Sequence, residues 1–209
     1  MPFTKTRIAG LLVTLALTAG AAQAQTATPG TASTATPSAA TAPAATPSAD
    51  MVPALLADLA RYQAAEAYVT HNIATFDTLD FDVFTHQKWD RLKESHAPDI
   101  LVHWPDGHTT RGLERHTEDL KAMFVYAPDT RISAHPVKFG QGEWTAVIGV
   151  MEGTFTRPMP TGNGKTIAPT GKSFKLTMAT VGHWKGSTMN EEYLFWDNAT
   201  FMKQLGLAQ

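Results

Sequence analysis

The chain has 209 residues, the length of one folded domain with extensions. Its 17 lysines and arginines against 19 aspartates and glutamates give a net charge of −2 at pH 7, and no basic patch is present. This composition excludes nucleic acid as an expected partner. The sequence has no cysteine, so disulfides within the chain and thiolate catalysis are excluded as well.

The first 24 residues have the pattern of a secretory signal peptide. Lys5 and Arg7 precede an apolar run over residues 8–22, and Ala22-Gln23-Ala24 has the small-residue pattern of a cleavage site. The run is shorter than the roughly 20 apolar residues that a membrane-spanning helix needs. We therefore expect cleavage after Ala24, a periplasmic or secreted protein, and no membrane association after cleavage.

Residues 25–50 are almost entirely Ala, Thr, Pro and Ser, with neither aromatic nor basic side chains. Such a segment buries too little apolar surface to offset the entropy of ordering it. We predict a disordered linker over 25–50 and one folded domain over 51–209.

Helical periodicity dominates the first half of this domain. Apolar residues recur on one face from Leu55 to Phe76, and the pattern breaks at Leu79. A second helix is expected over 84–96, a short strand over 100–104 and a third helix over 113–128.

Strand alternation takes over in the second half. Strands are predicted over 131–139 and 144–155, a hairpin over 173–185 and 189–196, and a last helix over 199–205. Helices followed by meandering strands predict an α+β domain, in which three helices pack in the concavity of a curved antiparallel sheet. Side chains that point into this concavity would line a pocket.

The hairpin carries the candidate chemistry. A three-residue loop over 186–188 would pair His183 with Glu191. In that register one face of the hairpin combines apolar residues with an ionisable pair: Ala179, Val181, His183, Tyr193, Phe195 and Asp197. We expect this face to line the pocket, with Val181, Tyr193 and Phe195 in contact with the ligand.

Asp197 is the predicted acid/base of that pocket. A carboxylate among aromatic side chains has a raised pKa, which suits it to move a proton next to a carbonyl group. His183 would hold a substrate oxygen or assist the transfer. In the alternative interpretation, Asp197 is the N-cap of the last helix and His183 is a hydrogen-bonded histidine of the sheet.

Three further residues are candidates for the pocket lining. His103 and Trp104 are adjacent on a strand, so one of the two must face inward. Glu152 lies in mid-strand among apolar residues and is either a second pocket acid or an outward carboxylate.

Four histidines lie close together in the sequence, but their spacing matches no zinc motif: His96, His103, His108 and His116. We therefore predict no metal site and no cofactor.

Three stretches carry a family resemblance: Gly153-Thr154-Phe155, "GHWKGSTMNEEYLFWD" over 182–197, and "FMKQLGL" over 201–207. They resemble the SnoaL-like polyketide cyclases, also called ester cyclases, of the nuclear transport factor 2-like superfamily, over roughly Glu66 to Leu207. In that family a strand histidine and an aspartate before the final helix flank the ligand, which implies these roles for His183 and Asp197. The resemblance implies a cone-shaped α+β fold, often dimeric through its sheet.

Together these features predict a cofactor-free acid/base catalyst acting next to a carbonyl of a small apolar ligand, such as an aldol-type cyclase or isomerase. One alternative is a module that binds a small ligand on the same fold without catalysis. Another is an epoxide-type hydrolase, which would need Glu152 to point inward beside Asp197. A homodimer is expected from the resemblance.

Overall fold

The computed structural model describes residues 48–161 and 164–208 of the chain. The predicted signal peptide, residues 1–24, and nearly all of the predicted linker, residues 25–50, lie outside these described residues. Within the described ranges, no helix has the length and apolar character needed to cross a lipid bilayer.

The helical segments are three α-helices and two short irregular turns: α1 (Val52–Thr78), a π-helical turn (Leu79–Phe84), a 3₁₀ turn (Trp89–Glu94), α2 (Leu113–Tyr126) and α3 (Asn198–Gln204). The predicted helix over 84–96 is therefore wrong. The π-helical turn extends α1 with four buried residues among its six, so packing rather than periodicity sets this segment. Turns of this kind occur often at functional sites.

The main sheet has six strands: β1 (His96–His103), β2 (Thr109–Arg111), β3 (Arg131–Gln141), β4 (Trp144–Thr154), β7 (Ser173–Lys185) and β8 (Thr188–Phe195). Its order is β2-β1-β8-β7-β4-β3. All neighbours are antiparallel except β1 and β8, which pair in parallel. Two short strands, β5 (Met159–Pro160) and β6 (Thr166–Ile167), pair separately.

The register of the β7–β8 hairpin confirms the predicted pairs of His183 with Glu191, Val181 with Tyr193 and Ala179 with Phe195. The loop itself differs from the prediction. Lys185 pairs with Thr188 and Trp184 with Met189, so the loop has two residues. A bulge at Asn190 then restores the predicted register, because the extra residue shifts the pairing by one.

One face of the sheet is covered by the helices and forms the core. Along β7 the even positions Phe174, Leu176, Met178 and Trp184 are buried, which places them on this inner face. Helix α1 packs against β3 and β4, α2 against β1, and α3 against β7. The described domain is thus α+β, with helices on one face of a curved, mostly antiparallel sheet, as predicted.

The other, outer face of the sheet carries large apolar side chains that are 41–62% exposed: Val137, Phe139, Trp144 and Phe195. A homodimer through this face stays a prediction.

Candidate active site

The predicted hairpin residues lie together, but on the outer face of the sheet. Since Gly182 and Trp184 are buried on the inner face, alternation turns His183 outward. The His183 ring stacks on Trp144 at a centroid distance of 4.3 Å, and its Nε2 lies 3.3 Å from Glu143 Oε2. The predicted inward orientation of this face is therefore wrong. Strand alternation turns the other residues placed on it outward as well: Val181, Tyr193 and Phe195.

Asp197 is the N-cap of α3 and is exposed to solvent. Its Oδ1 accepts hydrogen bonds from the amides of Ala199 (2.9 Å) and Thr200 (3.1 Å), and its Oδ2 accepts one from Thr200 Oγ1 (2.5 Å). The Thr200 hydroxyl and these amides hold the pKa of Asp197 below its usual range. The predicted raised pKa is therefore wrong, and the capping interpretation describes the observed contacts.

The three other candidate pocket residues do not lie on the same face of the sheet. His103 faces outward, with its ring stacked on Tyr193 at 4.0 Å and its Nε2 2.8 Å from Glu191 Oε1. Trp104 is the inward member of the pair and lines the interior cavity. Glu152 is directed outward and pairs with Arg131 at 2.8 Å, so the alternative of an outward carboxylate describes it.

An interior cavity of about 70 Å³ lies between the helices and the inner face of the sheet. Five ionisable side chains from four different elements meet its wall. Asp80 comes from the π-helical turn, His96 from the start of β1, His116 and Asp119 from α2, and Glu192 from β8. The rest of the wall is largely apolar and aromatic, including Phe84, Trp104, Met123, Met151, Met178, Leu194 and Trp196.

His96, His116 and Glu192 form a buried cluster, 1%, 2% and 4% exposed. Glu192 Oε2 lies 3.3 Å from His116 Nε2 and 3.9 Å from His96 Nε2. Three buried atoms of the cluster have no hydrogen-bond partner within the described residues: His96 Nε2, His116 Nδ1 and Glu192 Oε2. Such atoms are rare in protein interiors and indicate a group that meets a ligand, a water or an ion.

The cluster combines the donor atoms of two imidazoles and one carboxylate within 4.8 Å of one another, which is a set able to hold a metal ion. Burial lowers the pKa of His116 to about 4, so this imidazole is neutral at pH 7. Burial also opposes ionisation of Glu192, but the neighbouring histidines outweigh it and hold the pKa of Glu192 below its usual value.

Asp80 also contacts two further ionisable side chains, His135 directly and Asp77 through His135. His135 Nε2 lies 2.8 Å from Asp80 Oδ2, and His135 Nδ1 lies 2.8 Å from Asp77 Oδ1. Burial raises the pKa of Asp80 above its ordinary value, although His135 acts in the opposite direction. Asp80 is therefore a carboxyl with enhanced basicity at the cavity wall, connected through His135 to the partly exposed Asp77.

The sequence contained part of the signal for this site. Glu191 and Glu192 are adjacent on a strand, so one of them had to face the core, and Glu192 is the buried one. His96 and His116 meet only because β1 and α2 pack together, which their spacing does not predict.

The chain belongs to the SnoaL-like polyketide cyclase family, whose model matches residues 75–205. A structure from Jannaschia sp. CCS1, named for its likeness to SnoaL-like polyketide cyclases, superposes with a TM-score of 0.59 at 17% identity, covering 68% of this chain and 96% of that one. IdmH of Streptomyces antibioticus, named as a polyketide cyclase candidate, gives 0.55 at 22% identity over 65% and 98%.

A third structure, from Catenulispora acidiphila, has a ketosteroid isomerase-like fold and was solved with trimethylamine; it gives 0.50 at 16% identity over 65% and 92%. At these identities the structures establish the fold. No curated protein matches the sequence.

Proposed function

We propose that this protein is an acid/base enzyme acting on the carbon next to a carbonyl group, and that its active site is the interior cavity rather than the outer hairpin. Family membership supports a cyclase- or isomerase-type role in general. The observation that carries the finer proposal is Asp80, a buried carboxyl with a raised pKa at the wall of an apolar cavity. A base in such a position is matched to weakly acidic C–H groups.

In this proposal Asp80 takes the proton from the carbon next to the carbonyl. The C–H bond breaks, its electron pair forms the enolate, and the carbonyl oxygen gains negative charge. That oxygen is directed toward His116, whose unpartnered Nδ1 would donate a hydrogen bond to it at the cavity wall. Asp80 then returns the proton to carbon in an isomerisation. In an aldol-type cyclisation the enolate carbon instead bonds to a second carbonyl carbon, the π bond of that carbonyl breaks, and its oxygen takes up the proton from Asp80.

The volume of the cavity limits what enters it. A cavity of about 150 Å³ holds one benzene molecule, and this cavity measures about 70 Å³. It therefore accommodates the reacting carbonyl and its neighbouring carbon, with the rest of a substrate outside. Trp104 and Trp196 are half-buried wall residues whose rings lie edge to face at 6.4 Å, and they offer an apolar surface for that remainder.

Deuterium exchange tests the proposal without knowledge of the natural substrate. Small ketones and β-keto esters are incubated with the protein in D₂O, and the loss of the signal from the carbon-bound proton is followed by NMR. Asp80→Asn keeps the shape of the side chain and should lower the exchange rate by at least about 100-fold. Asp82→Asn changes a partly exposed carboxylate on the same π-helical turn that does not line the cavity, so it is the matched control and should leave the rate unchanged.

Exchange that is equally fast in Asp80→Asn and in the unaltered protein would contradict the assignment of Asp80. Ligands that raise the melting temperature without any exchange would favour the alternative of a binding module.

Export is a separate proposal that is supported by the pattern of the first 24 residues. The intact mass of the protein recovered from the periplasm or the medium tests it, with a chain beginning at Gln25 as the expected result.

A further inference from the structure

Glu192 is a buried carboxylate without a permanent cationic partner. Its ion-pair partners among the described residues are the histidines His96 and His116, and neither lysine nor arginine pairs with it there. The carboxyl of Asp80 is a further neighbour, and its charge opposes that of Glu192 rather than compensating for it. A buried carboxylate is costly unless a positive charge or a set of hydrogen bonds compensates for it. Both imidazoles are themselves buried, and burial disfavours their protonated, charged forms.

The hydrogen bonds of His96 indicate which of its nitrogens carries the proton. His96 Nδ1 lies 3.2 Å from the Leu92 carbonyl oxygen, which can only accept, and 2.9 Å from Ser95 Oγ. The N–H is therefore assigned to Nδ1, and the lone pair of Nε2 points toward Glu192 Oε2 at 3.9 Å. Two acceptors that face each other across such a gap need an electron-poor group between them.

We infer that His96, His116 and Glu192 bind a divalent transition-metal ion such as Zn²⁺. Zinc takes imidazole nitrogen and carboxylate oxygen at about 2.0–2.2 Å in tetrahedral geometry, which places ligand atoms about 3.4 Å apart. The observed separations of 3.3 and 3.9 Å bracket that value, and all three donor atoms lie within 4.8 Å. The two separations from Glu192 Oε2 are thus close to the spacing of ligand atoms in a tetrahedral zinc site.

The surroundings have two further features of a metal site. The Leu92 carbonyl accepts the Nδ1–H of His96, an outer contact that fixes the tautomer and orientation of a ligating histidine. Three protein ligands also leave a fourth position open, and the adjacent cavity has room for a water or a carbonyl oxygen there.

The role of the ion, though not its binding, rests on the proposed function. A metal at this position would polarise the carbonyl oxygen of a substrate whose neighbouring carbon faces Asp80, and it would stabilise the negative charge of the enolate.

Metal binding is measured directly on the unaltered protein. The protein is stripped with a chelator, dialysed, and titrated with Co²⁺ and Zn²⁺, followed by elemental analysis and by the visible absorption of tetrahedral Co²⁺. The expected result is one tightly bound ion per chain and a melting temperature that rises with metal concentration.

Glu192→Gln removes one ligand while keeping the side-chain volume, and it should weaken binding by at least about 100-fold. The matched control is the outer-face pair, His103→Gln with Glu191→Gln, a histidine and glutamate in contact at 2.8 Å that should not affect binding. Circular dichroism and urea unfolding of metal-free Glu192→Gln establish that it is folded. If it is not, X-ray absorption of the unaltered protein with Zn²⁺ counts the histidine ligands, with two expected.

Absence of stoichiometric binding would overturn the inference, as would equal affinity in folded Glu192→Gln, or a metal environment with no histidine. These results are distinct from failure of the proposed function. Tight metal binding without deuterium exchange would contradict the enzyme proposal alone. Exchange by a protein that binds no metal would contradict the metal site alone.

Discussion

His135 lies between two carboxylates, and its replacement tests how the cavity wall holds a proton. Its two ring nitrogens lie 2.8 Å from Asp77 Oδ1 and 2.8 Å from Asp80 Oδ2, and the side chain is 1% exposed. A neutral imidazole has one N–H and can donate to only one carboxylate. Both contacts can be hydrogen bonds only when the group of His135, Asp77 and Asp80 holds one proton more than a neutral imidazole and two carboxylates would hold. Burial alone would lower the pKa of His135, but the hydrogen bonds to Asp80 and Asp77 raise it above its ordinary value.

The protonated His135 should contribute to the free energy of unfolding about as much as one charge-assisted hydrogen bond, about 1.5–3 kcal/mol. Because the folded-state pKa of His135 is raised, this stabilisation is fully present below about pH 6.5, the pKa of an unfolded histidine. It is lost as the pH rises through the higher folded-state pKa. Other charged groups face these three side chains as well. Lys138 pairs with Asp77, and Glu192 and His96 lie on the side of Asp80.

The measurement is urea unfolding followed by tryptophan fluorescence, at about pH 6 and about pH 9. The unaltered protein should lose about 1.5–3 kcal/mol between these conditions, or about 2–4 °C in Tm for each kcal/mol. His135→Gln should be less stable at the lower pH and should lack this part of the pH dependence. His86→Gln, an exposed histidine near Asp82, is the control. An identical pH dependence in His135→Gln and the unaltered protein would refute the reasoning.

Two predictions concern the inner face of the hairpin. A Cβ at Gly182 would lie 2.5 Å from Met189 Sδ and 3.1 Å from Trp184 Nε1, so Gly182→Ala should cost about 1–3 kcal/mol in urea unfolding; an unchanged midpoint would contradict the packing. The Trp184 indole N–H donates to Thr145 Oγ1 at 2.8 Å in the core, so Trp184→Phe should also cost about 1–3 kcal/mol. Adding Thr145→Val should restore part of that loss, whereas strictly additive losses would argue against the bond.

The hairpin shows which part of this fold could be predicted from sequence. The assumed three-residue loop gave the correct cross-strand partners of His183 and Val181, although the loop itself has two residues. The sequence pattern does not distinguish the two cases, since a two-residue loop with a bulge at Asn190 and a three-residue loop produce the same register beyond the bulge.

The identity of the inner face could not be predicted from alternation. Both faces of β7 are apolar, with Met178 and Trp184 on one and Ala179 and Val181 on the other, so the pattern itself was ambiguous. The polar residues then favoured the wrong face as the pocket lining. The outer face carries His183, a typical pocket residue, whereas the inner face carries Thr180, which is not distinctive. The helices that cover the inner face decide the matter, and their packing is a tertiary property.

The interior site depends on such tertiary contacts still more. In the sequence Asp80 only follows the break in helical periodicity at Leu79, yet that break is the π-helical turn that directs its carboxyl to the cavity. His96 and His116 are two of the four neighbouring histidines whose spacing matches no zinc motif. Spacing motifs detect ligands within one helix or loop, whereas these two come from a strand and a helix.

Asp197 separates the interior site from the hairpin site by experiment. Its oxygens already accept two amides and the Thr200 hydroxyl, and its pKa is held below the usual range, so at neutral pH it is an ionised cap without a proton to donate. Asp197→Ala removes the cap and should lower the melting temperature while leaving deuterium exchange and metal binding unchanged. Asp197→Asn still accepts the amides, so it should retain most of the stability.

The two Asp197 variants together distinguish a loss of stability from a loss of charge as the cause of any lost exchange. Loss of exchange in Asp197→Ala alone would reflect destabilisation, since the melting temperature would fall with it. Loss of exchange in Asp197→Asn at an unchanged melting temperature would show that the charge of Asp197 itself takes part in the chemistry. That result would return the active site to the outer hairpin, because the carboxylate of Asp197 is exposed to solvent and is not among the groups that line the interior cavity.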